Sequence, residues 1–210
     1  MKKLIPILLA VFALASCEKD PDMGKLDDNY LVYTNYDKQA NFKDFSTFYL
    51  ADKILVISDS KEPEYLEGEG AEQILAAYTD NMIARGYAAA TNKESADLGI
   101  QVSYIASTYY FTSYTQPEWW WGYPGYWGPS YWGNWGGWYY PYAVTYSYST
   151  NSFLTEMVNL KAEQGDSKKL PVVWTSYLTG FETGSKAINR TLAVEAVNQS
   201  FAQSPYLTNK

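Results

Sequence analysis

The sequence predicts an α+β fold: a single domain of mainly antiparallel sheet, with two helices packed on one face. Three observations carry this. Two segments place apolar side chains at helical spacing, one in the first half of the chain and one near its end. Around them lie short runs in which apolar and polar residues alternate, the period of a strand with one buried face. Helices set apart by runs of adjoining strands suggest a sheet covered from one side. Residues 30–210 suffice for one domain with a real core.

The elements follow in order. Leu31 and Tyr33 alternate with Val32 and Thr34, a strand pattern, and Asp37 to Asn41 is a polar turn. Phe45 to Leu50 is an aromatic-rich strand, and Ile54 to Ile57 extends it or forms another. Residues 58–70 are polar and acidic, with Pro63, Gly68 and Gly70, and read as a loop. In the first helix Ile74, Leu75, Tyr78 and Met82 share a face. Glu69 and Glu72 suit its positive N-terminal end, and Gly86 supplies the left-handed residue that stops it. Leu98, Ile100, Val102 and Tyr104 form a strand face, and Tyr109 to Tyr114 keep a strand-like composition. Val144, Tyr146 and Tyr148 mark another strand. Phe153 to Leu160 and Leu170 to Leu178 pair across a turn at Gly165. Ser185 is a good N-cap for the last helix, whose face carries Ile188, Leu192, Ala196 and Phe201, and Pro205 ends it.

Before this domain comes an address. Lys2 and Lys3 precede the apolar run Leu4 to Ala15, which is shorter than the roughly 20 residues a spanning helix needs. A charged start, a short apolar stretch and small residues before a cut make a secretory signal, residues 1–16. It ends in Leu14-Ala15-Ser16-Cys17, which looks like the lipobox of bacterial lipoproteins, where the Cys after the cut carries lipid such as palmitate. Cys17 is the only Cys, so no disulfide forms within the chain. Residues 17–29 then read as a lipidated Cys and an acidic tether; Glu18 to Asn29 hold five acids and two bases. Glu18-Lys19-Asp20 is similar to the signals that export Bacteroidetes lipoproteins to the cell surface. Glu18, unlike an Asp there, favours the outer membrane over the inner. The expected location is therefore the cell envelope, with the membrane reached through the lipid.

The net charge of −7 leaves no electrostatic footprint for nucleic acid. With no His, Ser-His and Cys-His nucleophile pairs and the usual zinc sites are ruled out. There is no phosphate-binding glycine loop. The acidic run 59–72 lacks the spacing of a calcium loop. A carboxylate pair of the glycosidase kind remains conceivable among Glu118, Glu156, Asp166 and Glu182, with solvated surface acids the simpler reading. The expectation is no catalytic residue, no metal and no cofactor.

A segment at roughly residues 115–142 stands apart. From Trp119 to Tyr142 it holds seven Trp, six Tyr, six Gly and three Pro, and no Leu, Ile or Val. Its tryptophans are Trp119, Trp120, Trp121, Trp127, Trp132, Trp135 and Trp138. Recurrent Gly and Pro oppose long helix or strand. Rings left in water are unfavourable by about 25 cal/mol per Å², so the segment should find partners. It can fold over the domain's own sheet, meet an envelope protein or the headgroup zone, or stack on the sugar rings of a glycan.

Short motifs recur in a telling order. They are Asn35-Tyr36-Asp37, Asn41-Phe42-Lys43-Asp44-Phe45-Ser46-Thr47-Phe48, Arg85-Gly86-Tyr87, Ala96-Asp97-Leu98, Val173-Trp174, and Phe201 with Ser204-Pro205. Together they resemble the family called domain of unknown function 4136, over roughly residues 30–207. The resemblance implies an envelope lipoprotein, in many members with a Gly/Tyr/Trp-rich insertion at the same place. That family has no assigned activity, so it lends no catalytic residue. The chain departs from its pattern at Phe153 to Leu160, "FLTEMVNL", which lacks an acidic end. Two functions compete: a non-catalytic structural or interaction lipoprotein, or a surface glycan-binding lipoprotein that uses the aromatic loop.

Overall fold

The computed structural model describes residues 30–58, 60, 62–106, 138–142, 151–163, 168–181 and 186–210, with the backbone alone for 186–188. The expected leader and tether, Cys17 and six of the seven segment tryptophans lie outside these residues. So do Tyr109 to Tyr114, the strand expected at 144–148, Gly165 and Ser185.

The described residues form an α+β domain. Its strands are β1 (Leu31–Tyr36), β2 (Thr47–Leu50), β3 (Ile54–Ile57), β4 (Glu64–Leu66), β5 (Ala88–Ala89), β6 (Leu98–Ile105), β7 (Trp138–Tyr139), β8 (Ser152–Asn159) and β9 (Leu170–Thr179). The helices are α1 (Glu69–Ala84) and α2 (Lys186–Ala202). The sheet runs β1-β9-β8-β6-β2-β5, with β3 between β6 and β4, and β7 beside β9. Its centre, β1-β9-β8-β6, is antiparallel as expected.

The flanks differ from expectation. β2 and β3 both run parallel to β6, β5 runs parallel to β2, and β7 parallel to β9. β2 lies along Leu98–Ile100 and β3 along Ser103–Ile105, so the two are successive pieces on one flank of β6. The chain steps between them at Ala51, whose N–H donates to Ile100 O at 2.9 Å. β4 falls within the predicted loop; it is a short edge strand on β3, and two of its three residues are exposed. The second strand begins at Thr47 and not at Phe45, because Phe42–Asp44 forms a 3₁₀ turn capped by the Asn41 side chain. Asp97 Oδ2 holds the start of β2 by accepting from Ser46 N and Thr47 N at 2.7 and 3.1 Å.

Both helices cover one face of the sheet. Ile74, Tyr78 and Met82 of α1 and Leu192, Ala196, Val197 and Phe201 of α2 are buried there, over Ile100, Val102, Met157, Trp174 and Leu178. Leu75 is only partly buried. Two polar contacts cross this core: Tyr78 Oη accepts from Thr155 Oγ1 at 2.6 Å and lies 3.3 Å from Ser176 Oγ. Burial pushes the Tyr78 phenol up to about 12.

α1 ends as its sequence predicts. Gly86 has φ +97°; its N–H bonds to Ile83 O at 2.9 Å and the Tyr87 N–H to Met82 O at 3.2 Å, the paired bonds of a Schellman cap. Arg85 then reaches across to the end of α2, donating from Nη1 to Ser204 O at 2.8 Å and Leu207 O at 3.0 Å, and from Nη2 to Phe201 O. Trp174 Nε1 and Tyr206 Oη both donate to Ser204 Oγ, and Tyr206 stacks on Tyr36 at 3.6 Å. Tyr87 Oη donates to Phe42 O at 3.1 Å. The motif residues thus converge at one end of the domain, where they tie the helix C-termini to the sheet.

Candidate functional site

The face opposite the helices is built from alternate residues of the same central strands. A cross-strand row runs Gln101 (β6), Glu156 (β8), Thr175 (β9) and Asn35 (β1). A second row runs Ser103, Leu154, Tyr177 and Tyr33. Gln101, Ser103, Glu156 and Thr175 are all buried, so something covers this face.

The cover is the end of the aromatic segment. Trp138, 1% exposed, and Tyr140 pack with Leu55, Ile57, Leu154, Val158 and Tyr177 in a second core cluster. The rings meet polar atoms as well as apolar ones. Tyr140 Oη donates to Glu156 Oε1, and Tyr142 Oη donates to Thr175 Oγ1 at 3.4 Å. Tyr140 and Tyr142 stand edge-on at 5.9 Å. Ser152 Oγ lies 2.9 Å from Tyr177 Oη and donates to Thr179 Oγ1 at 3.2 Å. The Oγ of Ser103 has no hydrogen-bond partner among the described residues.

The segment enters this cover as a strand. β7 pairs with Leu170 and Pro171 of β9, just beyond the stretch Trp174–Thr179 that β1 occupies. The bulge in β9 lies next to this junction: Met157 pairs with Trp174 and Val158 with Val172, which leaves Val173 unmatched in β8. The Val173 carbonyl accepts from Asp37 N at 3.0 Å instead.

Of the sequence-predicted residues, Trp138 lies inside the fold, while Trp119, Trp120, Trp121, Trp127, Trp132 and Trp135, and the expected lipidation site Cys17, lie outside the described residues. Among the carboxylates, Glu118, Asp166 and Glu182 also lie outside them. Glu156 corrects the reading of surface acids: it is 0% exposed, in mid-strand, under Tyr140. Phe153 to Val158 carries apolar side chains on both faces, a sign that both are covered and that a Glu among them is buried. Sequence reasoning missed Tyr140 and Tyr142 as the partners of this row. The hydroxyl that separates Tyr from Phe was the available signal.

At the edge of the same face, Leu31 and Tyr33 are 53% and 50% exposed, next to the point where residues 17–29 join the domain. On the helix face, a concavity opens between the N-terminal ends of α1 and α2, with a volume of about 560 Å³. Its mouth carries Glu67, Glu69 and Arg190, and Arg190 Nη1 pairs with Glu69 Oε2 at 2.9 Å. Among the described residues no helix is long and apolar enough to cross a membrane.

Comparison with known proteins is consistent with this architecture. The chain is similar to a DUF4136 family protein of known crystal structure from Bacteroides thetaiotaomicron VPI-5482, with 92% identity over 88% of this chain and 100% of that chain, and a TM-score of 0.79. A PelC dodecamer from Paraburkholderia phytofirmans aligns over 86% of this chain and 99% of that chain, at 10% identity and a TM-score of 0.40, too remote to bear on function. No curated protein matches. The profile of the domain of unknown function DUF4136 matches residues 32–206, and the chain belongs to that family.

Proposed function

We propose that the protein is a lipoprotein of the bacterial cell envelope, anchored through lipid on Cys17, whose domain is a non-catalytic structural or interaction module. The observation that carries this is the chain's lone Cys, set at the end of a short apolar leader and ahead of an acidic tether. Two or more acyl chains on one thiol-anchored terminus hold a protein at a bilayer where one does not. The outer membrane is the expected site. The 92% identical relative comes from a Bacteroides species, in keeping with the Glu18-Lys19-Asp20 stretch after the Cys.

The half-exposed Leu31 and Tyr33 of β1, close in sequence to the expected tether, are where an interaction would be sought first. A catalytic role for Glu156 finds no support, since its carboxyl is sealed under Tyr140. Trp138, where the segment is described, faces inward, which favours an architectural use of that part over sugar stacking. Replacing Cys17 by Ala should release the protein from the membrane fraction or leave its leader uncut. Metabolic labelling with palmitate and mass spectrometry of the mature N-terminus read both. An unmodified Cys17 in the mature native protein would overturn the proposal.

A further inference from the structure

We infer that the concavity between the N-terminal ends of α1 and α2 takes a single acyl chain, and that its resident is a chain of the lipid on Cys17. This rests on the lipoprotein reading above. At about 560 Å³ the space lies within the approximate 300–1,000 Å³ range of small-ligand sites. Its floor is largely hydrocarbon and ring, from Ala71 and Ile74 of α1, Ala193 of α2, Phe153 of β8, and Phe181, and the polar groups of Tyr104 and Asn151 on one side are bonded to each other. Charge is confined to the mouth, where Arg190 is already engaged by Glu69 and Glu67 adds a second carboxylate. A floor without charge below an acidic mouth favours hydrocarbon and disfavours an anionic head group.

The position of the tether identifies the occupant. The domain begins at Tyr30, whose ring lies 6.4 Å from Phe181, and Phe181 lies 5.8 Å from Phe153. The chain that carries the lipid therefore meets the domain beside the rings that line the cavity. Residues 18–29 reach at most about 40 Å when extended, so tethering keeps a lipid on Cys17 within reach of the cavity and raises its local concentration there. Hydrocarbon gains about as much from a bilayer as from an apolar pocket. The cavity is thus filled when the lipidated protein is off the membrane.

The test uses the full-length lipidated protein from cells fed a diazirine-bearing palmitate, freed of detergent, irradiated and digested for mass spectrometry. The expected result is intramolecular crosslinks from Cys17 to peptides containing Ile74, Phe153 or Phe181. Leu66→Trp, which narrows the cavity it lines, should lower their yield about tenfold, the change that a loss of about 1.4 kcal/mol in affinity gives. Glu67→Trp, on the exposed rim, should act likewise without touching the core, and circular dichroism confirms the fold of both. A labelled Cys17 whose crosslinks fall elsewhere, or are indifferent to both variants, overturns the inference. Capture of free diazirine palmitate by the pocket, with the Cys17-borne chain absent from it, overturns the assignment of the occupant. An unlabelled Cys17 instead removes the lipoprotein reading itself.

Discussion

The two faces of the central sheet solve the same problem with different materials. The helix face is closed by two regular elements whose aliphatic and aromatic side chains meet apolar strand residues, with Tyr78 as the main polar intrusion. The opposite face offers a polar row, Gln101, Glu156 and Thr175, and its described cover is Trp138, Tyr140 and Tyr142. The difference explains the odd composition at this end of the segment. A lid of Leu or Ile would bury the Glu156 carboxyl and the Thr175 hydroxyl without their Tyr donors. Tyrosine brings area and a hydroxyl together, so one ring can both exclude water and supply a hydrogen bond.

Breaking the helix face should have the largest effect. Trp174 is fully buried and bonds to Ser204, so Trp174→Ala should cost about 3–5 kcal/mol. Urea unfolding measures this, and a loss under 1 kcal/mol would contradict the packing described (roughly the scale of an ordinary surface change).

Breaking the polar face should be milder and more informative. Tyr140→Phe leaves the ring but removes a donor to Glu156, at about 1–3 kcal/mol. Glu156→Gln keeps an acceptor and should cost less. Hydrogen exchange at the β7 amides should rise in Tyr140→Phe; unchanged protection would show that the hydroxyl does not hold the lid.

Alkaline pH should weaken the helix face selectively. The Tyr78 phenol is held up to about 12 by burial, against an ordinary value near 10. Its burial as a neutral phenol stabilises the fold fully below about pH 10; above that the unfolded chain ionises first. Stability should then fall by on the order of 1 kcal/mol per pH unit until the folded phenol ionises near pH 12. Tyr87 and Tyr206 are also raised by burial and act in the same direction. Melting temperatures across pH 8–12 should drop less steeply in Tyr78→Phe, which has no proton to lose.

The smallest effect belongs to the rim of the cavity. Arg190→Ala removes an exposed pair with Glu69 and should change stability by at most about 1 kcal/mol, less at high salt.

The helix face was legible because its physics is periodic. Ile74, Tyr78 and Met82, and Leu192, Ala196 and Phe201, repeat at helical spacing, and Gly86 stops α1 where expected. Leu75 fits the helical stripe yet sits at its margin, partly buried. The parallel pairing of β2 and β3 with β6 was not legible, because alternation gives a strand its faces and says nothing of its neighbours. β4 carries too few residues, mostly exposed, to leave a pattern. The burial of Glu156 was hidden for a different reason: it depends on a cover made of residues with no periodic spacing. Arg85 and Ser204 stood out as motif residues, and only the fold shows that they meet at the helix C-termini, with Tyr206 beside them.

β7 is two residues long, yet it occupies part of the stretch of β9 that β1 leaves open. Ladder bonds are made by the main chain and are blind to what hangs from it. A main-chain clasp therefore sets where this end of the segment is fastened, and the buried rings of Trp138 and Tyr140 set how it lies. A designer could place a fluorescent or cross-linkable analogue at the exposed Pro141 and expect the thread to stay sewn at the same stitch, provided Trp138 and Tyr140 are kept.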